Sequence, residues 1–370
     1  MKRKNISILG IRGIPANHGG FETFAEKLAL YLVKNGWHVT VFCQEDSGNK
    51  VEETYWKNIL LVKIPINIKG SLGTIIFDFK AAVLANKYKN NIALTLGYNT
   101  AIFNLLIKLK GIKNIINMDG LEWKRRKYNF IQKLWLYLNE KAAVQIADHL
   151  IADNPGIENH LKLISPANKK ITMIPYGSDI TKLNLDKEKV ILKKLNINEP
   201  YILIVARPVE ENNIYEVVKA FSNKKRDHRL VIFGRYSSNV LYQKKVLEVA
   251  SEEVMFLGAI YDSLILAAVR KNAKLYIHGH SVGGTNPALV EAMSCGIPVL
   301  AHNNTFNKWV AGEKAEYFNN ELDIEEKIEE IINNNNKLIN MSNHSKSRFN
   351  KFFKWEQILN DYEKVFLTIN

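Results

Sequence analysis

The chain has 370 residues, 46% of them hydrophobic and 24% charged, with a formal net charge of +14. This composition excludes a fibrous or mostly disordered chain, and the length is a prior for two domains of roughly 150 residues each. The two cysteines, Cys43 and Cys295, form no CxxC pair and no His/Cys zinc spacing, which points to a reducing, cytoplasmic setting.

The opening MKRKNISILG passes from a basic start into a short apolar strand, with no apolar stretch of signal-peptide length. Apolar runs such as Tyr201 to Ala206 fall far short of the ~20 residues that span a bilayer, so no transmembrane segment is expected. Charge is unevenly placed: residues 1–180 hold 25 Lys+Arg and 14 Asp+Glu, a net of +11, against +3 for the rest. Such an excess attracts anionic membrane, phosphorylated small molecules or nucleic acid.

In chain order, Asn5 to Leu9 reads as a strand, Gly10 to Gly20 as a glycine-bearing loop, and Phe21, Phe24, Ala25, Leu28, Ala29 and Leu32 recur at helical spacing. Asn35-Gly36 ends that helix and Trp37 to Cys43 is the next strand, completing a βαβ unit. Strands follow at Ile92–Leu96, Ile115–Met118 and His149–Ala152, with a helix from Asn129 to Ala147. Alternation of this kind implies a parallel sheet covered on both faces. The turn-rich, charged stretch from Ile171 to Pro200 interrupts it. A second alternation has strands at Tyr201–Ala206, Leu230–Phe233, Val254–Leu257, Leu275–His278 and Pro298–Ala301, then a polar helix from Asp323 to Met341 broken or ended near Asn333–Asn336. Trp355, Ile358, Leu359, Tyr362, Val365 and Phe366 form a final helical stripe. The expected division is therefore an N-terminal domain 1–180, a linker 181–200, a C-terminal domain 201–353 and a C-terminal helix 354–370.

Ligands in parallel sheets bind at the carboxyl ends of strands, where helix N-termini point. Three such ends stand out. In the first, Gly19 and Gly20 lie where a helix begins to present free N–H groups, although the loop also reads as a plain structural turn. It lacks both the GxGxxG spacing and a P-loop lysine. In the second, a strand delivers Arg207, whose guanidinium fork suits a diphosphate; a solvated surface arginine is the alternative. The third runs from His278 through Gly283, Gly284, Thr285 and Asn286 to Glu291. Asn286 suits an N-cap and Pro287 the first helical position, and Glu291 about one turn further in can take the vicinal hydroxyls of a ribose whose phosphates rest on the helix start. A solvated helix residue is the bland alternative for Glu291.

Taken together, Pro15…Gly19-Gly20-Phe21-Glu22, Asp119-Gly-Leu-Glu-Trp-Lys-Arg125, Ile174-Pro-Tyr-Gly-Ser-Asp179, Ala206-Arg207-Pro and Glu291-Ala-Met-Ser-Cys-Gly-Ile-Pro-Val resemble the GT-B glycosyltransferases of retaining family 4, and within it the bacterial rhamnosyltransferase-type members. The resemblance implies two Rossmann-like domains with parallel sheets facing across a cleft, and a C-terminal helix that crosses back to the first domain. It implies transfer of a sugar, rhamnose from dTDP-rhamnose first and UDP-sugars next, to a hydroxyl of a glycan or lipid-linked acceptor in surface polysaccharide synthesis.

Two positions depart from the family pattern. The glutamate that stands eight positions before the ribose glutamate is Gly283 here, and the lysine five residues after the arginine is Asn212. Sugar contact is then expected from the Gly283–Asn286 backbone or from His278 and His280, and the missing charge from Arg12; Asn212 is kept among the donor-binding candidates. Asp119 is the candidate to touch the transferring sugar, with an Asx-turn role as the alternative. Glu122, Trp123, Lys124, Arg125, Arg126 and Lys127 suit a lipid headgroup or lipid-linked acceptor at the inner face of the cytoplasmic membrane, or else a solvated charge run.

No Asp-x-Asp motif occurs, so neither metal nor other cofactor is expected, and arginine with helix amides would neutralise a departing diphosphate. The rivals are a nucleotide-sugar epimerase or phosphorylase on the same architecture and a basic nucleic-acid-binding protein. The last lacks any recognised nucleic-acid motif, so no nucleic-acid partner is expected.

Overall fold

The computed structural model describes residues 4–16, 19–88, 91–181, 183–260 and 262–369. These divide into two compact units, one holding the residues up to Tyr176 and from Trp355, the other Gly177–Lys354.

The first unit runs β1 (Asn5–Leu9), α1 (Gly20–Lys34), β2 (His38–Glu45), β3 (Glu52–Trp56), β4 (Ile59–Pro65), α2 (Gly70–Ala85), β5 (Ile92–Leu96), α3 (Asn104–Lys108), β6 (Lys113–Asn117), α4 (Phe130–Ile146), β7 (His149–Ala152), α5 (Pro155–Ile164) and β8 (Lys170–Met173). Its sheet order is β3-β4-β2-β1-β5-β6-β7-β8, parallel except for the edge strand β3. The second unit runs α6 (Leu185–Lys194), β9 (Tyr201–Val205), α7 (Ile214–Ser222), β10 (Arg229–Phe233), α8 (Leu241–Glu248), β11 (Val254–Phe256), α9 (Ser263–Asn272), β12 (Leu275–His278), α10 (Pro287–Ser294), β13 (Val299–His302), α11 (Thr305–Ala311), β14 (Glu316–Phe318), α12 (Glu321–Ile332) and α13 (Asn335–Phe352). Its all-parallel order is β11-β10-β9-β12-β13-β14. The last helix, α14 (Trp355–Ile369), lies in the first unit.

Burial explains these elements. The central strands are apolar on both faces, as a sheet covered on both sides requires. Ile6, Ile8 and Leu94 of the first unit pack under α1 and α14, while Leu9, Phe42 and Val62 face α2 and α3. Helix α14 closes the first side with the stripe anticipated from sequence: Trp355, Ile358, Leu359, Tyr362, Val365 and Phe366 are buried, and the Tyr362 ring lies 4.7 Å from Phe24 of α1. Helix starts follow their caps. Asn129 and Gln132 form a capping box on α4, and Asn154 caps α5 ahead of Pro155.

Three sequence expectations change. The stretch 181–200, expected as a linker, holds α6, where the buried Glu188 receives Lys271 Nζ at 2.5 Å and Asn272 Nδ2 at 3.1 Å from α9. Six of its ten residues are charged, so although Leu192 also packs against the unit's core the stretch read as a connection. The β3–β4 hairpin was not anticipated, because β3 is a polar edge strand; Lys57 and Asn58, at φ 49° and 64°, make its turn. The helix break near Asn333 is present, but the second piece, α13, continues to Phe352.

Candidate functional site

The second unit has the strand order 3-2-1-4-5-6, whose switch point lies between β9 and β12, and open parallel sheets bind ligands at that crevice. The candidates collect there. Arg207 stands two residues beyond β9, exposed and with no carboxylate partner among the described residues. Its backbone is fixed: Asn212 is buried, and its Nδ2 donates to Arg207 O at 2.8 Å. Asn212, expected on the donor, thus holds the arginine's loop.

The β9 and β12 loops are stitched together across the switch point. Asn213 Nδ2 donates to Gly279 O at 2.6 Å, and both the amide and the hydroxyl of Ser281 donate to Glu211 O at 2.9 Å. Gly279 is required for this approach, since a Cβ there would lie 2.1 Å from Asn212 O.

His278 ends β12 fully buried, stacked on His280 with ring centroids 4.2 Å apart. Burial, and then the neighbouring His280 and His302, hold its imidazole well below the usual histidine range, so it is neutral at physiological pH. Its Nδ1 faces Tyr276 Oη at 3.5 Å, while Nε2 has no hydrogen-bond partner among the described residues. Gly283 adopts φ +128°, which L residues rarely occupy. Gly284 and the buried Thr285 lead to Asn286, whose side chain caps α10 by accepting from Ala288 N at 3.0 Å, with Pro287 at the first helical position. Glu291, one turn in, is partly buried, and its Oε2 receives Arg270 Nη2 at 2.5 Å.

Sequence reasoning missed two residues here. Arg270 is almost fully buried and orients Glu291 from α9. Arg235 leaves β10 as Arg207 leaves β9: the strands pair Phe233 with Val205, each arginine lies two residues further, and Arg235 is likewise exposed without a carboxylate partner among the described residues. Adjacent strand ends thus carry two arginines. The signal was the repeat of a strand followed by one small residue and arginine, Val205-Ala-Arg and Phe233-Gly-Arg.

In the first unit the loop after β1 behaves differently. Gly19 precedes α1 without a side-chain cap, and Gly20 opens the helix. The helix start does not offer an empty cradle, because a Cβ on Gly19 would lie 2.1 Å from Glu22 Oε2. Loop amides already have acceptors: Arg12 N donates to Glu22 Oε1 at 3.2 Å and Ala16 N to Glu26 Oε2 at 2.7 Å. A carboxylate seated at a helix N-terminus opposes a phosphate there. The Arg12 side chain is exposed; Asn17 and His18 of this loop lie outside the described residues.

Asp119 lies two residues past β6 rather than at its end, at φ 48°. The Asx turn belongs to Asn117, whose Oδ1 accepts from Asp119 N at 2.9 Å while its Nδ2 donates to Tyr362 Oη at 2.7 Å. Burial, with the Glu122 charge next, pushes the Asp119 carboxyl up to about 6 against the pull of Arg125. Of the basic stretch, Glu122 is buried and accepts from Arg125 Nε at 2.6 Å, and Trp123 packs edge-on to Tyr137. Lys124, Arg126 and Lys127 are exposed. The stretch 122–127 was expected on the acceptor or membrane side, with a solvated charge run as the alternative; Glu122 is buried and Trp123 and Arg125 are partly so. Among the described residues no three His, Cys, Asp or Glu side chains are grouped to hold a metal ion.

Residues 3–179 match the family described as Domain of unknown function (DUF1972), and residues 187–348 match Glycosyl transferases group 1. No curated protein matches the chain in sequence. Among solved structures, the chain is similar to a sucrose-phosphate synthase from Thermosynechococcus elongatus at TM-score 0.81 and 18% identity, covering 99% of each chain. It is similar to a glycosyltransferase from Rickettsia africae at TM-score 0.74 and 17% identity, over 100% of this chain and 99% of that one. It is similar also to Anabaena HepE in complex with UDP and glucose at TM-score 0.78 and 14% identity, over 98% and 99%. The fold is therefore that of the GT-B glycosyltransferase structures, with two Rossmann-like domains on parallel sheets, and residues 187–348 carry a glycosyl transferases group 1 domain.

Proposed function

We propose that the chain is a glycosyltransferase that takes a sugar from a nucleoside-diphosphate donor and delivers it to a hydroxyl of a glycan or lipid-linked acceptor. The observation that carries this is the pair of unpaired arginines, Arg207 and Arg235, on adjacent strand ends beside the switch point where α10 begins. The diphosphate rests on the two guanidinium groups and on the amides ahead of Pro287, and the ribose hydroxyls on the Glu291 carboxylate, which Arg270 holds in place. HepE, seen with UDP and with UDP-glucose, supports a nucleotide-sugar as the partner.

As the glycosidic bond stretches, negative charge develops on the departing phosphate oxygen, and donors already in position stabilise it with little reorganisation. The acceptor proton passes to that oxygen in a retaining transfer. His278, with a neutral imidazole, and His280 face the sugar hydroxyls, the role left open by Gly283. Asp119 keeps the role the resemblance gives it, contact with the transferring sugar, while Glu22 already occupies the helix start beside Gly19 and Gly20, which with Arg12 were expected on the donor. No divalent cation is needed, since arginine and peptide dipoles supply the positive field.

The sequence resemblance makes rhamnose from dTDP-rhamnose the first donor to try and surface polysaccharide synthesis at the inner face of the cytoplasmic membrane the setting. A thermal-shift screen with dTDP, UDP, GDP and their sugars is the direct test, because a ligand that binds only the folded state raises the melting temperature. Stabilisation by one nucleoside diphosphate in the presence of chelator is expected. No shift with any of them, or turnover abolished by chelator, ends the proposal. Isomerisation of the donor without an acceptor would reassign the chain to an epimerase.

A further inference from the structure

Strand β6 ends inside the first unit's sheet on a buried polar residue, Asn117, whose backbone and side chain are both held. Gly97 N, just after β5, donates to Asn117 O at 3.0 Å, and Met118 N donates to Ile151 O of β7 at 2.8 Å. In the side chain, Oδ1 accepts from Asp119 N at 2.9 Å and Nδ2 donates to Tyr362 Oη at 2.7 Å. The amide cannot be turned over, because a backbone N–H can be met only by the oxygen. The nitrogen therefore faces Tyr362, whose hydroxyl oxygen must accept.

Tyr362 is fixed in turn by the core. It is buried on α14, with its ring 4.7 Å from Phe24 of α1 and 6.1 Å from Phe366. At the other end of the chain of contacts, Asp119 takes φ 48°, a left-handed conformation that an L residue keeps only where its surroundings impose it. The hold on Asp119 N is the Asn117 oxygen, and the hold on Asn117 is the Tyr362 hydroxyl. Two hydrogen bonds thus run from the packed side of α14 to the turn that aims the Asp119 carboxyl. Around that carboxyl stand Glu122, Arg125 and Lys127, with the Tyr98 hydroxyl near them, and none of these groups is on α14.

We propose that Tyr362 and Asn117 are positioning residues for Asp119: through the Asn117 amide, the α14 phenol sets the backbone turn that presents the Asp119 carboxyl to the transferring sugar. This rests on the reading of Asp119 as the group that contacts that sugar. Both residues are too buried to meet a substrate themselves, so they act by geometry alone. Misplacement of a contacting group lowers turnover even where substrate still binds.

The test pairs kinetics with a titration, both on the full chain. Tyr362→Phe keeps the buried ring and removes only the hydroxyl; it should lower kcat about 10- to 100-fold at saturating donor and acceptor, with the donor KM little changed. In an Asp119→Asn background the same substitution should lower kcat no further, because the residues act as one unit. Phe366→Leu, a packing change one turn along α14, should lower the melting temperature at least as much and leave kcat at the parent value. Carbon NMR of the ligand-free chain across pH, with Asp119→Asn to identify the resonance, should show the Asp119 carboxyl titrating below its parent value of about 6 in Tyr362→Phe, since a loosened turn returns it to water. An unchanged kcat, an unshifted carboxyl, an equal kcat loss in the Asp119→Asn background or an equal loss in Phe366→Leu each overturns the proposal. A chain that transfers no sugar from any donor refutes the transferase reading instead, and the titration, which needs no turnover, still decides whether Tyr362 sets the turn.

Discussion

Each unit places a glycine-bearing loop and a helix start after a central strand, yet the two helix starts carry opposite electrostatics. At α1 the Glu22 carboxylate sits against Gly19 and takes the Arg12 amide, so the positive end of the helix is already matched within the protein. At α10 the cap is a neutral asparagine, the carboxylate is moved one turn into the helix, and Arg270 ties it down. Two arginines stand on neighbouring strand ends of that sheet without a carboxylate partner among the described residues. The first unit's helix start is matched by a carboxylate, and the second's carries only a neutral asparagine cap.

That contrast breaks most readily at the arginines. Arg207→Ala is expected to lower turnover by about 100- to 1000-fold at saturating donor, the cost of losing one donor aimed at developing charge; a change confined to the acceptor Michaelis constant would remove its diphosphate role. Arg235→Ala should follow in the same direction, and steady-state kinetics with varied donor measures both. Next comes the Glu291 carboxylate, proposed to take the ribose. Glu291→Ala should raise the donor Kd about 10- to 100-fold with the fold intact by circular dichroism. Arg270→Met should raise it less, and the double variant should be no worse than Glu291→Ala, because the two residues act as one unit.

A pH profile sharpens the first unit's part. The Asp119 carboxyl, ordinarily near 3.8, is pushed up to about 6. Between those values the folded chain holds a proton that the unfolded chain has lost, so this group's contribution to stability falls as pH rises through 6. Asp119→Asn should therefore raise the melting temperature at pH 8 relative to the parent, and not at pH 4. It should also abolish an activity limb near pH 6; a limb that survives would place the titrating group elsewhere. His278 runs the other way. Its folded value is depressed, so stability is full above about 6.5 and declines as pH falls below it. His278→Asn should flatten that acid side in urea unfolding followed across pH. Smallest is Glu22→Gln, which should cost ~0.5–1 kcal/mol through the lost helix-terminus charge and leave donor kinetics unchanged. Tighter donor binding in that variant would show that α1 faces the diphosphate after all and would undo the contrast.

Much of the fold was legible because apolar runs alternate with helical stripes: β1 and β12 agree residue for residue, and the α14 stripe is buried as read. The α10 cap was legible too, since Asn-Pro at a helix start is a local signal. Helix α6 was not, because six of its ten residues are charged and a buried glutamate helps to hold it alongside Leu192. Arg270 was illegible for a related reason: it matters through Glu291, on a different helix. Arg235 left a sequence signal, which gains its meaning only from the pairing of β10 with β9.

By itself the sequence determined the two parallel-sheet halves, the glycine loops and the Asn286-Pro287 helix start, since each depends on backbone preferences and on residues within a turn or two. Only the tertiary structure decided which helix start is matched by a carboxylate and which charges pair among the described residues. Charge pairing is a matter of ångströms in space, and sequence distance carries no trace of it: 21 positions separate Arg270 from Glu291, which touch at 2.5 Å.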